Sequence, residues 1–271
     1  MIVGLAMLAG GVAAGLFGSL LGLGGGILIV PLLTLGFGLP VREAVGVSLV
    51  SVIVTSSAAA SVYLERHVAN LRLGMTLELF TAIGAFVGGL VAFLVEERVI
   101  AALFTALLVY TAWSMVRRRT PEPAMTEPVG ADPAESPGFQ ASLNGPGYTV
   151  RRLPAGIVGS LFAGIVAALL GVGGGLVKVP VMHLVMGVPL RVATATSNLM
   201  IGVTATAGAV VYLARGGIDP LVAGPTAIGV FLGASIGSRA AHRLDLGTLR
   251  LLFVLVLGYT AIQMGRRVVG L

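Results

Sequence analysis

The chain repeats itself. Shifting residues 150–268 back by 149 places lays Gly173-Gly174-Gly175 on Gly24-Gly25-Gly26, Pro180 on Pro31, Pro189 on Pro40, Arg191 on Arg42, Ser197 on Ser48 and Thr204 on Thr55. The register then holds through Gly84/Gly233, Gly88/Gly237 and Tyr110-Thr111-Ala112/Tyr259-Thr260-Ala261, with roughly a third of positions identical and no gap. A repeat of that length is an architectural constraint, because each copy must fold the same way. It predicts two homologous halves, residues 1–116 and 153–271.

What the halves are made of follows from charge. Only 10% of the 271 residues are charged, against about 25% in soluble domains, and 56% are hydrophobic. Apolar stretches cover Met1 to Leu39, Val41 to Leu64, Leu73 to Val95 and Val99 to Val116, then Leu153 to Val188, Leu190 to Ala214, Leu221 to Ala241 and Leu246 to Met264. Each is long enough to cross about 30 Å of hydrocarbon as a helix. The expectation is an all-α polytopic membrane protein with about eight transmembrane segments in two four-segment halves. Between them, 117–152 carries Pro121, Pro123, Pro128, Pro133, Pro137 and Pro146 with Glu122, Glu127, Asp132 and Glu135, and reads as a flexible cytoplasmic linker.

The first segment of each half is too long for one span and too short for two, and glycines interrupt it. A single crossing makes the repeats parallel; a segment that enters and returns makes them inverted. Counting arginines at segment ends does not separate the two. The opening stretch has small residues like a signal peptide, but no basic start, and its pattern recurs mid-chain, so it is expected to be retained.

Absences narrow the function. There is no cysteine, and His67, His183 and His242 are scattered, so no thiolate zinc site, cysteine nucleophile or iron–sulfur cluster is expected, and no metal or cofactor. The net charge of +6 comes without a basic stripe or interleaved aromatics. Nucleic acid is therefore not an expected partner; the lipid bilayer is.

The doubled glycine block points to a site. Non-helical backbone at membrane depth is tolerated only where protein buries it or it lines a wet cavity. Half-helix N-termini aimed at such a cavity offer amide N–H groups to an anion. Gly24, Gly25, Gly26, Gly173, Gly174 and Gly175 are thus candidate substrate-lining residues. The spacings Gly11/Gly15, Gly18/Gly22, Gly84/Gly88 and Gly233/Gly237 read instead as close helix packing.

Ser48 and Thr55 are seven apart, as are Ser197 and Thr204, which puts each pair on one helix face. With Asn198 they are candidate binding residues. Arg42 and Arg191 follow Pro40 and Pro189 in the first turn of their helices. They read either as interfacial anchors or as charge at the mouth of an anion path. The halves differ where Lys178 replaces Ile29, His183 replaces Thr34 and Asn198 replaces Leu49. A lysine within a membrane segment is a functional candidate by default. Glu78 lies well inside an apolar segment and faces Ala227 in the repeat alignment. It is expected to stand alone and to be dispensable, the anion moving down its gradient or with a proton of its own.

Two four-segment halves, each opening Gly-x6-Gly-x-Gly-Gly-Gly-x4-Pro (Gly15 to Pro31; Gly164 to Pro180) and continuing Pro-x-Arg-x-Ala-x3-Ser (Pro40 to Ser48; Pro189 to Ser197), resemble the sulfite exporter TauE/SafE family of membrane permeases. The resemblance implies a secondary transporter, not an enzyme, moving a small sulfur anion such as sulfite, thiosulfate or an organosulfonate across a prokaryotic cell membrane. It fixes neither the particular anion nor the direction, and it leaves a homodimer open. A cation transporter or channel is the alternative, poorly supplied by one carboxylate. A membrane-embedded enzyme ranks last, since no nucleophile–base or metal-ligand constellation is visible.

Overall fold

Glycine and proline decide where the helices stop. The structure, a computed structural model, describes residues 2–20, 25–65, 69–117, 141–145, 147–240 and 246–269. The first half contains α1 (Ile2–Leu20), the short α2 (Gly26–Pro31), α3 (Val41–Glu65), α4 (Leu71–Ala92) and α5 (Glu97–Arg117). The second contains α6 (Leu153–Leu170), the short α7 (Gly175–Pro180), α8 (Leu190–Ala214), α9 (Pro220–Ala240) and α10 (Leu246–Val269). Past Pro31 and Pro180, α2 and α7 widen into π turns, Leu32–Gly36 and Val181–Val185. Proline has no N–H to keep the α-helical ladder in step, and the next bonds form one residue longer.

Six helices among the described residues are long and apolar enough to cross a membrane, with shorter apolar helices at Val3–Ser19, Gly26–Gly36 and Gly175–Val185. Their buried and exposed faces are sorted by size as much as by polarity. On α4, Gly74, Glu78, Thr81, Gly84, Ala85 and Gly88 face inward, whereas Met75, Leu79, Ile83 and Phe86 are exposed. In hydrocarbon a large apolar side chain gains nothing by hiding, so small residues take the helix contacts.

Those contacts set helix directions. Along α1 and α9, Leu8 meets Gly229, Val12 meets Gly233 and Leu16 meets Gly237, so these two helices run parallel. Leu161 against Gly84 and Ile165 against Gly88 make α6 parallel to α4. Gly46 lies by Tyr212, Leu49 by Gly208 and Ser56 by Gly202, which makes α3 and α8 antiparallel. Positions 149 apart recur in these pairs: Gly15 abuts the Val230 carbonyl and Gly164 that of Thr81.

The first segment of each half is a hairpin, not a single crossing. Gly25 sits by Ala14 and Gly10 by Leu32, so α2 returns along α1. Gly174 sits by Ala163 and Gly159 by Val181, so α7 returns along α6. With Gly74 near Thr196 and Gly89 near Val211, α8 parallels α4 and hence α6. The counterparts α3 and α8, 149 residues apart, thus run in opposite directions.

Most of the expected linker, 118–140, lies outside the described residues. Its end is packed. Leu143 and Val150 are buried. Asn70, the N-cap of α4, donates through Nδ2 to the Leu143 carbonyl (2.8 Å) and to the Tyr148 hydroxyl (2.9 Å), and the Arg151 N–H donates to the Met186 carbonyl. The Asn70 side chain thus takes up one carbonyl of the loop, and the Met186 carbonyl takes up one of its amides.

Candidate functional site

Both glycine blocks break their helices. Gly25 takes φ +74° as the N-cap of α2; Gly171 closes α6 at φ +69° and Gly174 opens α7 at φ +77°. These are left-handed values that only glycine adopts without cost. Gly24 lies outside the described residues. The first bond within α7 is donated by the Val177 N–H to the Gly174 carbonyl, as the Leu28 N–H donates to Gly25 in α2. The amides of Gly175 and Leu176, like those of Gly26 and Ile27, therefore precede any intrahelical bond.

The breaks meet at the centre of the molecule. Gly26 packs on Gly171, and the Ser48 hydroxyl joins them, donating to the Gly171 carbonyl at 2.7 Å with the Gly26 carbonyl at 3.2 Å. Gly173 wedges between Val52 and Ile201, again 149 positions apart. Ser197, the counterpart of Ser48, lies beside Gly175. Its hydroxyl is buried and has no hydrogen-bond partner among the described residues. Asn198 next to it is also buried.

Two turns along α8 from Ser197 is a feature the sequence reading did not assemble. Lys178 on α7 is 1% exposed. Its Nζ lies 2.9 Å from Glu78 Oε2 and 2.7 Å from Thr204 Oγ1. The Thr204 hydroxyl in turn donates to Glu78 Oε1 at 2.7 Å. The three residues form a closed triangle from α4, α7 and α8. The expectation that Glu78 stands alone is wrong: it neutralises Lys178, since an unpaired charge would be too costly there. A signal was present. Lys178 and Glu78 are both unmatched in the repeat, where Ile29 and Ala227 stand, and a compensating pair must arise or vanish together.

The counterparts of Lys178 and Glu78 are Ile29 and Ala227, which cannot form such a triangle. Thr55, the counterpart of Thr204, donates to its own helix at the Ser51 and Val52 carbonyls. Arg42 donates from Nε to the Ala92 carbonyl (3.0 Å) and from Nη2 to the Val95 carbonyl (2.9 Å), and its guanidinium stacks 5.4 Å from the Phe93 ring. It caps the end of α4, where a cation also meets the negative end of the dipole. Arg191 stands in the equivalent first turn of α8. His183 places Nδ1 2.9 Å from the Val188 carbonyl, at the exposed end of the α7 π turn. Among the described residues no cluster of His, Asp and Glu could hold a metal.

Helix breaks lined with amides and hydroxyls, within a set of membrane-length helices, define a polytopic membrane protein with an interior polar site. The chain belongs to the TauE/SafE sulfite exporter family, whose family model matches residues 7–264. It is 26% identical over 254 residues to the probable membrane transporter protein YunE of Bacillus subtilis, covering 91% of this chain and 92% of that protein. It is 23% identical over 269 residues to the probable membrane transporter protein MJ0441 of Methanocaldococcus jannaschii, covering 94% and 92%. No solved structure matches the chain. The family and these names are those of membrane transporters, and they leave the substrate open.

Proposed function

We propose that the chain is a secondary transporter of a small sulfur oxyanion, such as sulfite, thiosulfate or an organosulfonate, across a prokaryotic cell membrane. In this reading residues 1–116 and 153–271 are homologous four-segment halves of inverted orientation, joined by a cytoplasmic connection at 117–152. The opposite directions of α3 and α8 and the recurring 149-residue offset in the glycine contacts support it.

One observation carries the choice of an anion: a buried ammonium, Lys178, donates to Thr204, on the same face of α8 as the buried Ser197 hydroxyl. Ser197 and the leading amides of α7 add hydrogen-bond donors without adding negative charge, which is what a desolvated oxyanion requires. The carboxylate of Glu78 is matched by that ammonium, so it leaves no net negative charge to replace the hydration of a cation. No covalent chemistry is needed, and the protein acts as a carrier and not as an enzyme.

The test is uptake by purified protein in liposomes, comparing sulfite, thiosulfate and sulfoacetate with sulfate and divalent cations. Saturable uptake of a sulfur oxyanion is expected. Uptake of a divalent cation with none of the anions overturns the reading.

A further inference from the structure

We infer that Glu78 and the transported anion compete for the Lys178 ammonium, so that each singly charged anion enters with one proton, carried on Glu78. The inference rests on the oxyanion-carrier reading and gives that site its coupling ion.

The argument begins with charge. Lys178 and Glu78 are both buried, and together they are neutral. An anion drawn to the ammonium would leave the site with one negative charge, in surroundings where an unmatched charge costs several kcal/mol. Something must cancel it. Among the described residues, the elements packed around the pair offer no second carboxylate beside it: on α3, which packs on α8, Arg42 is held by the Ala92 and Val95 carbonyls and Glu43 lies in the first turn. Over its length α6 (Leu153–Leu170) has no titratable residue. On α8, Arg191 lies 13 residues before Thr204, and Tyr212 donates its hydroxyl to the Ala168 carbonyl. On α4, Arg72 is exposed at the start of the helix. On the α7 side, His183 sits at the exposed end of the π turn. The neutralising proton therefore goes to the carboxylate already there.

Geometry allows the exchange. Glu78 Oε2 and Thr204 Oγ1 hold two of the three ammonium hydrogens. When a proton from water adds to Glu78, an O–H bond forms, the carboxyl becomes neutral, and its hold on Lys178 weakens. The ammonium keeps its charge throughout and can turn an N–H to an anion oxygen, with the unpartnered Ser197 hydroxyl two turns away on the same face of α8. On the other side of the membrane the anion leaves, Lys178 recaptures the carboxylate, and the Glu78 proton returns to water. Net transfer is one anion and one proton, and the protein ends as it began. Ile29 and Ala227 stand at the counterpart positions, so one coupled proton per cycle is expected.

The experiment uses the full chain in nanodiscs with methanesulfonate, thiosulfate and sulfite as probes. Binding is followed by calorimetry, and proton uptake with an indicator in weakly buffered solution. The wild-type protein should take up one proton per methanesulfonate bound. Its affinity should fall about tenfold for each pH unit over the range in which Glu78 is ionised. Glu78→Gln should bind the same probe with no proton uptake and no pH slope. A wild-type protein that binds any probe without taking up a proton overturns the inference and leaves the carrier reading standing, and this measurement needs no variant to fold. A pair serving only as a structural staple would lower the thermal stability of Glu78→Gln while leaving the pH slope in place, which also overturns it. Failure of all three anions to bind removes the carrier reading and the inference with it.

Discussion

Ser48 on α3 donates its hydroxyl to the carbonyl of Gly171, 123 residues away and 2.7 Å distant. That bond fastens the break of one hairpin to the break of the other, and Ser197 has no partner to match it among the described residues. Ser48→Ala leaves a buried carbonyl without its donor, at a cost of about 1–3 kcal/mol. Ser197→Ala should lose far less stability and should weaken anion binding instead. Thermal unfolding in detergent together with binding measurements separates the two; equal destabilisation by both would show that Ser197 is also a structural tie.

Lys178 and Glu78 should behave as a unit. Lys178→Met alone strands a buried carboxylate, and Glu78→Gln alone strands a buried ammonium. Breaking such a pair from one side costs about 3–5 kcal/mol. The double variant, neutral on both sides, should recover most of that stability. A double-mutant cycle on unfolding midpoints is the measurement, and additive losses would mean the pair contributes nothing as a pair.

Close approach of helices rests on particular glycines. A methyl group at Gly84 would run into the Leu161 carbonyl and one at Gly233 into that of Val12, both backbone atoms that cannot swing aside. At Gly258 nothing lies within 4 Å. Gly84→Ala and Gly233→Ala should each lower the yield of folded protein in detergent. Gly258→Ala should be neutral, or stabilising by up to about 1 kcal/mol from helix propensity.

The repeat, the helix-breaking glycines and the packing glycines were legible because they are written in spacing. A register of 149 residues survives in sequence, and Gly84/Gly88 and Gly233/Gly237 bear the contacts their spacing implies. Of the other two such pairs, Gly11 and Gly15 pack on α9, while Gly22 lies outside the described residues. The hairpin direction was not legible, because the arginine counts at the segment ends favour both topologies almost equally and only the side-by-side order of Gly10/Leu32 and Gly25/Ala14 decides it. The triangle escaped for a different reason. Helix α4 packs on α6, as α9 does on α1, so Glu78 meets a partner 100 residues away that no local pattern brings near it. The repeat alignment marked both residues as odd without saying that they touch.

Asn70 ties the end of the α5–α6 connection to α4. Its Oδ1 accepts the Leu73 N–H at 3.0 Å while Nδ2 holds Leu143 and Tyr148. Asn70→Ala loses an N-cap worth about 0.5–2 kcal/mol, and should speed proteolysis between residues 143 and 150. Burial raises the Tyr148 pKa, against the lowering effect of the Asn70 hydrogen bond. The folded state thus prefers the neutral phenol. Its contribution is complete below the unfolded value of about 10 and is lost as pH rises from there through the folded value. Tyrosinate absorbance in wild type and Tyr148→Phe checks this; a Tyr148 that ionises below the ordinary value contradicts it.

Gly25 offers the sharpest separation of backbone from side-chain effects at the break. The nearest atoms to an added Cβ are the Ala14 carbonyl oxygen and Val230 Cγ1, each at 3.7 Å, an ordinary contact. Space is therefore available, and the obstacle to a side chain is the left-handed φ of +74°. Gly25→Ala should cost about 1–2 kcal/mol. Gly25→Asn should cost less, although it is larger, because asparagine visits that region more readily. A leucine there should instead fill the space around the break and reduce transport more than it reduces expression. Unfolding midpoints of the Ala and Asn variants test the backbone account: if Asn is the more damaging, crowding and not conformation explains why glycine stands at this position.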